Sequence, residues 1–235
     1  MKKTDLVEIK KNNIGTGLLI EQDGYASLPK NVIKEHMSSE EWHVPYPFVV
    51  DAVFQKYGVK NANGRIYPKE VLMSQVEKYQ DLINQHLALG ECNHPDSSTI
   101  DLGRVSHNII ELHWEGCTLV GKLELNLSQG FVKHGICSTL GDTVANLLLN
   151  GYKIGVSSRG VGSVEQKMGQ YIVGTDFDLI CWDIVSSPST PNAYIGSREE
   201  LEQYIESENK QGILVNESND TVKEKISQIR NILIS

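Results

Sequence analysis

Two short strings carry most of the chemistry available to this chain: Gly90-Glu91-Cys92-Asn93-His94-Pro95 and Gly155-Val156-Ser157-Ser158-Arg159-Gly160. The proline after His94 biases that histidine toward extended backbone, and the polar run Asp96-Ser97-Ser98-Thr99 keeps it near solvent. The second string ends an apolar strand on two serines and runs into a glycine. A serine within hydrogen-bond reach of an imidazole is an activated nucleophile. Arg159 and Gly160 would supply backbone N–H groups for a developing oxyanion, since glycine lets a substrate approach closely. Side chains alternate across a strand, so only one of Ser157 and Ser158 faces His94. Ser157 shares a face with Lys153 and Gly155, the more solvent-facing set; Ser158 shares one with Ile154 and Val156.

A histidine that acts as base needs a group to orient it. Glu91, Asp96 and Asp101 flank His94, and as acids without a structural duty Glu91 and Asp96 are expected to face solvent. Asp183 stands in the apolar stretch Trp182-Asp183-Ile184, where an unpaired acid is costly. It is therefore the expected orienting residue, with Glu111 next. Among the other histidines His107, in a strand just downstream, is the runner-up base. Cys92 and Cys181 offer a weaker thiol alternative, Cys181 reading as core. A metal site from His94 and the nearby carboxylates has weak support and no CxxC occurs, so neither a metal nor a cofactor is expected.

The elements that must hold these residues follow from periodicity. Pro47 to Phe54 reads as a buried strand, and Asn63-Gly64 marks a turn. Pro68 opens a helix whose apolar stripe is Leu72, Val76, Tyr79, Ile83 and His86 or Leu87, with Gly90 as its stop. Val105 to Trp114 and Thr118 to Leu127 alternate as a hairpin around Glu115-Gly116. A helix over 139–149, a strand over 152–158, a hairpin around Met168-Gly169 and a strand over 177–185 complete the middle. Asp23-Gly24 reads as a turn and Asn31 to His36 as a short helix. Ser197-Arg198-Glu199-Glu200 has the form of a capping box, and Thr221 to Ile234 is amphipathic. Short strands with helices at their edges favour an α+β fold or barrel over a doubly wound sheet.

The 235 residues, 40% hydrophobic and 22% charged, suit one domain with extensions. A formal charge of −8 argues against nucleic acid as partner. No run of about 18 apolar residues occurs, so no membrane span is expected. Reduced thiols in a cytoplasmic setting are the expectation for four scattered cysteines. We divide the chain into an N-terminal extension (1–45), a central domain (46–198) and a C-terminal helical tail (199–235). The amphipathic end of that tail also suits a non-catalytic scaffold or interaction protein.

Four strings occur in order: Asn61-Ala62-Asn63-Gly64-Arg65-Ile66-Tyr67-Pro68, the His94 string, the Ser157-Ser158 string, and Asp183-Ile184-Val185 with Pro188-Ser189-Thr190-Pro191-Asn192-Ala193. Over about residues 47–196 they resemble the prohead core protease family of T-even-type tailed phages, which looks like a relative of the herpesvirus protease assemblin. The resemblance implies an assemblin-like small β-barrel with peripheral helices. It also implies a serine endopeptidase that matures the prohead inside the infected host's cytoplasm. Phage scaffold, core and capsid proteins would be its substrates, the chain itself included, and it would be a homo-oligomer. His94 would be the base. The Ser-x-Gly form of Ser158-Arg159-Gly160 would favour Ser158, against the strand parity that favours Ser157. Assemblin's second histidine has no counterpart after Ser158, and Asp183 lies where a downstream partner would. The family's cleavage after glutamate matches Leu214-Val215-Asn216-Glu217-Ser218, and 1–45 and the tail would be propeptides.

Overall fold

Alternating apolar residues dominate the middle of the chain, and in the computed structural model the described residues form one hydrogen-bonded sheet of nine strands together with four α-helices. Residues 14–26, 28–39, 41–186 and Glu206 are described. The 188–193 string, the helices expected after 197 and the 214–218 match lie outside them.

The strands are β1 (Ile14–Ala26), β2 (Val49–Lys56), β3 (Arg65–Ile66), β4 (Leu89–Glu91), β5 (Val105–Glu115), β6 (Thr118–Leu125), β7 (Ile154–Lys167), β8 (Gln170–Val173) and β9 (Asp178–Val185). The helices are α1 (Lys30–Ser38), α2 (Lys69–Asn84), α3 (Gln129–His134) and α4 (Leu140–Leu149), with a 3-10 turn at Leu102–Arg104. The sheet runs β3-β8-β7-β1-β2-β6-β5-β4, and β9 also pairs with β7. The length of β7 permits this. One edge lies against β1 along most of its course, while the other takes β9 at Gly155–Val161 and β8 at Val164–Lys167.

The expected small barrel is not closed among the described residues. No ladder joins β4 to β9 among the described residues. An isolated bridge, Cys92 to Ile184, links them, and the Asn93 N–H donates to the Ile184 carbonyl at 2.8 Å. The architecture is therefore a mixed α/β fold on one strongly paired sheet.

The hairpins at β5/β6 and β7/β8 form where Glu115-Gly116 and Met168-Gly169 place them. The α2 stripe Leu72, Val76, Tyr79 and Ile83 is buried as expected, and Tyr79 meets the edge of Trp182 at 4.9 Å between ring centroids. The helix ends earlier than expected, at Asn84. His86 takes a left-handed φ of 57°, Leu87 is exposed, and Gly90 belongs to β4 rather than to a helix stop. At Gly90 a Cβ would sit 2.2 Å from His107 Nε2, so glycine is what lets β4 lie against β5. α4 starts on a capping box between Thr139 and Asp142.

The largest departure concerns the N-terminal stretch. Residues 14–26, read as extension with a turn at Asp23-Gly24, form β1, a strand between β7 and β2. Its register against β7 breaks between Glu21, opposite Ser158, and Gly24, opposite Val156. Residues 22 and 23 thus stand against Ser157 alone, a β-bulge of the kind that locally opens a ladder.

Candidate active site

His94 follows β4 on a turn that its neighbours build. Asn93 adopts a left-handed φ of 60°, which asparagine tolerates better than most residues. The Arg104 guanidinium donates to the carbonyls of Cys92 and Asn93, each at 2.7 Å, pinning the turn from the 3-10 segment. The imidazole side chain is 8% exposed. Its Nδ1 lies 2.8 Å from Asp183 Oδ2, and its Nε2 is hydrogen-bonded to Ser157 Oγ. Ser157 also donates to the Glu21 carbonyl at the β1 bulge.

Strands β7 and β9 make this meeting possible, because Ser157 and Asp183 are direct partners in their ladder. β4 delivers the histidine from the other side. Ser157 is fully buried, so its face is not the solvent-facing one that strand parity suggested. Ser158 is not brought to His94: its Oγ is buried and makes no hydrogen bond among the described residues.

Asp183 is fully buried and well supplied with partners. The Glu91 N–H donates to Oδ1 at 3.0 Å, and Arg159 contacts both oxygens. Burial acts to raise the Asp183 pKa; the His94 hydrogen bond and the Arg159 charge outweigh it and hold the carboxyl below its ordinary value. The second carboxylate on Arg159 is that of Glu91, with both side chains completely buried. Glu91 is thus a buried ion-pair partner and does not face solvent; it also accepts from the Asp101 N–H at 2.5 Å.

Arg159 and Gly160 are the residues expected as oxyanion donors. Both residues have paired strands on either side, Ile20 and Cys181 for Arg159, Leu19 and Leu179 for Gly160. Their amides therefore lie inside the sheet, and neither is at an open strand end. Gly160 is small for packing reasons, since a Cβ there would lie 2.4 Å from Phe177 Cε2.

The other expected residues have different partners. Glu111 pairs with Lys122 at 2.7 Å and His113 at 3.3 Å on the half-exposed face of β5. His107 is buried behind β4, with Nε2 3.1 Å from the Trp182 carbonyl and Nδ1 3.0 Å from Ser106 Oγ. Desolvation lowers its pKa to about 4, so it stays neutral. Burial raises the Cys92 and Cys181 thiols, which disfavours the reactive thiolate in both. No cluster of three metal-ligating side chains occurs among the described residues.

A serine hydroxyl, an imidazole and a carboxylate joined through the two ring nitrogens form the arrangement of acyl-transfer hydrolases. Over residues 18–205 the sequence matches the family described as prohead core protein serine protease. The chain belongs to the prohead core protein serine protease family. A relative, the prohead core protein protease of Enterobacteria phage T4, is 33% identical over 156 residues, covering 64% of this chain and 68% of the relative. Among solved structures, the bacteriophage T4 capsid assembly protease superposes with a TM-score of 0.58 at 25% identity, covering 74% of this chain and 99% of that one. The family match begins inside β1, in the stretch that sequence reading left without resemblance.

Glu21 is the residue that sequence reading missed. It is fully buried, its carbonyl touches the serine, and its carboxylate is ringed by donors. The signal was available: Leu18-Leu19-Ile20-Glu21 sets an acid in an apolar strand, the same pattern that singled out Asp183.

Proposed function

We propose that this protease is a serine endopeptidase that matures the phage prohead, with Ser157 as nucleophile, His94 as base and Asp183 as the orienting acid. The observation that carries the reading is His94 itself, whose two ring nitrogens reach Ser157 Oγ and Asp183 Oδ2. Asp183 accepts a hydrogen bond from Nδ1–H, which keeps the proton on Nδ1 and leaves Nε2 free to take the serine's. Ser157 Oγ attacks the scissile carbonyl as its proton passes to His94. The protonated imidazole then gives that proton to the leaving amine. Water, deprotonated by the same nitrogen, releases the acyl group and restores the serine.

The names of the T4 relatives point to the assembling capsid as the place of action, and to scaffold, core and capsid proteins as substrates. The chain's own sequence after Glu217, in Leu214-Val215-Asn216-Glu217-Ser218, is a further cleavage site in this reading, and a cut there would release the last segment, Thr221 to Ile234 included. Activity as a homo-oligomer belongs to the same proposal, as does descent from an assemblin-like barrel. The Cys92–Ile184 bridge supports that descent, because it would complete a ring from β9 through β7, β1, β2, β6 and β5 to β4.

Co-expression with a capsid scaffold protein tests the assignment. Processing should vanish in Ser157→Ala and His94→Ala and persist in Ser158→Ala. Undiminished processing in the Ser157 or His94 variant would reject it.

A further inference from the structure

The string Asn61-Ala62-Asn63-Gly64-Arg65-Ile66-Tyr67 has no part in the acyl-transfer scheme, yet all of its polar side chains converge on one residue. Asn61 Nδ2 and Asn63 Nδ2 each donate to Glu21 Oε2 at 2.7 Å. Arg65 donates to Oε1 at 2.8 Å and the Tyr67 hydroxyl to the same oxygen at 2.9 Å. Asn63 also donates to the Ile20 carbonyl at 2.9 Å. The loop that makes this grip is itself braced: Asn61 Oδ1 accepts from the N–H groups of Asn63 and Arg65. Glu21 is the last regular residue of β1 before the bulge opposite Ser157, and its carbonyl accepts the Ser157 hydroxyl.

We propose that segment 61–67 positions the nucleophile: by gripping the Glu21 carboxylate it fixes the edge of the β1 bulge, and with it the carbonyl that anchors Ser157 Oγ. The inference rests on Ser157 being the nucleophile. A hydroxyl has one proton and, at this site, two acceptors, the Glu21 carbonyl and His94 Nε2. Rotation about the Cβ–Oγ bond carries the proton from one to the other without moving the oxygen. The carbonyl therefore holds Oγ in the rotamer that His94 needs, against the other staggered positions of an otherwise free side chain. A bulge is held less firmly than a regular ladder, so the carbonyl needs the Glu21 anchor to keep its place. Asn61, Asn63, Arg65 and Tyr67 are positioning residues in this account; none of them touches the reacting atoms.

The test uses the full chain and a fluorophosphonate probe, which reports nucleophile reactivity without a peptide substrate. Phosphonylation at residue 157 is followed by peptide mass spectrometry for the parent and for Tyr67→Phe, Asn61→Ala and Asn63→Ala. The expected result is a rate constant lower by roughly 10- to 100-fold, the scale of a misplaced reacting group, with the final extent of labelling unchanged. Tyr67→Phe removes one hydroxyl and keeps the ring against Phe177, so it remains informative if an asparagine variant does not fold. A parental rate constant with only a smaller labelled fraction would mean that the grip merely stabilises the fold, and would overturn the inference. A faster rate would overturn it too, by making the carbonyl a restraint on the serine. If the parent is labelled elsewhere or not at all, the assignment of Ser157 falls, and this inference with it.

Discussion

Arg159 holds Asp183 through both carboxylate oxygens: Nε lies 2.9 Å from Oδ2 and a terminal nitrogen 3.3 Å from Oδ1, with neither side chain exposed. The Nε approach is an ion contact without hydrogen-bond alignment, so Oδ2 remains well placed for His94. Glu91 Oε2 contacts the same terminal nitrogen, so one guanidinium carries two carboxylates. Three ionised groups therefore stand behind the imidazole, and removing the central one leaves two buried carboxylates without a counterion.

Arg159→Met should cost about 3–5 kcal/mol of stability, the usual consequence of breaking a buried ion pair from one side, as measured by urea denaturation. Its effect on activity has a defined sign. The arginine charge lowers the Asp183 pKa, so its loss raises that pKa, and the acid limb of the pH–activity profile moves to higher pH. The groups facing Asp183 besides Arg159 are His94, Glu91, Cys181, Cys92, His107 and Tyr79, and all are unchanged in this variant. Arg159→Lys, which keeps the charge, should shift the limb less.

Ser158→Ala removes a buried hydroxyl that has no hydrogen-bond partner among the described residues. Its stability should stay within about 0.5 kcal/mol of the parent or rise, since no bond is lost and a desolvated polar group is removed. Thermal unfolding of the purified variant checks this, and a loss above about 2 kcal/mol would show that the hydroxyl has a partner.

Asp142 gives a pH prediction away from the site. Burial acts to raise its pKa, and the N–H groups of Ser138, Ser128 and Thr139 with the Ser128 hydroxyl outweigh it, leaving it below the ordinary 3.8. A depressed carboxylate stabilises fully above its unfolded-state pKa, and the contribution disappears as pH falls through the lower folded value. Asp142→Ala should therefore be about 1–2 kcal/mol less stable at neutral pH, as for a lost helix cap. The gap should close in denaturation curves taken below the folded-state pKa.

Gly160→Ala separates packing from substrate approach. The new methyl meets Phe177 Cε2 at 2.4 Å and the Asp178 carbonyl at 2.7 Å, so about 1–3 kcal/mol of stability should be lost. An unchanged melting temperature with a raised KM would instead favour the substrate-facing role read from the sequence.

Much of this site could be read in the sequence because the relevant signals are local. A proline after His94 and an acid within Trp182-Asp183-Ile184 are visible without a fold. The apolar stripe of α2 and the two hairpins likewise follow from periodicity and turn residues. What could not be read depends on pairing. Which of Ser157 and Ser158 meets His94 depends on how β7 pairs with its neighbours, and no property of β7 alone contains that. β1 itself was obscured by three glycines and a buried acid, which make Ile14–Ala26 look like a loop. Arg159 and Gly160 resembled a substrate-facing string because arginine and glycine are usually exposed. Their burial follows from β9 lying along the second edge of β7.

The single bridge between Cys92 and Ile184 has a thermodynamic consequence. Ser157 and Asp183 sit in strands joined by a long ladder, whereas His94 follows a three-residue strand that is laddered to β5 on one side and meets β9 at a single bridge on the other. Segments with so few backbone bonds open at lower free energy than the ladders around them. Catalytic competence is then the first property surrendered under mild denaturant, before the fluorescence of buried Trp182 reports unfolding. In hydrogen exchange, the Asn93 amide should lose protection ahead of the amides of β7. The fold keeps Ser157 and Asp183 inside a long ladder and His94 beside a short strand bridged to β9 only once.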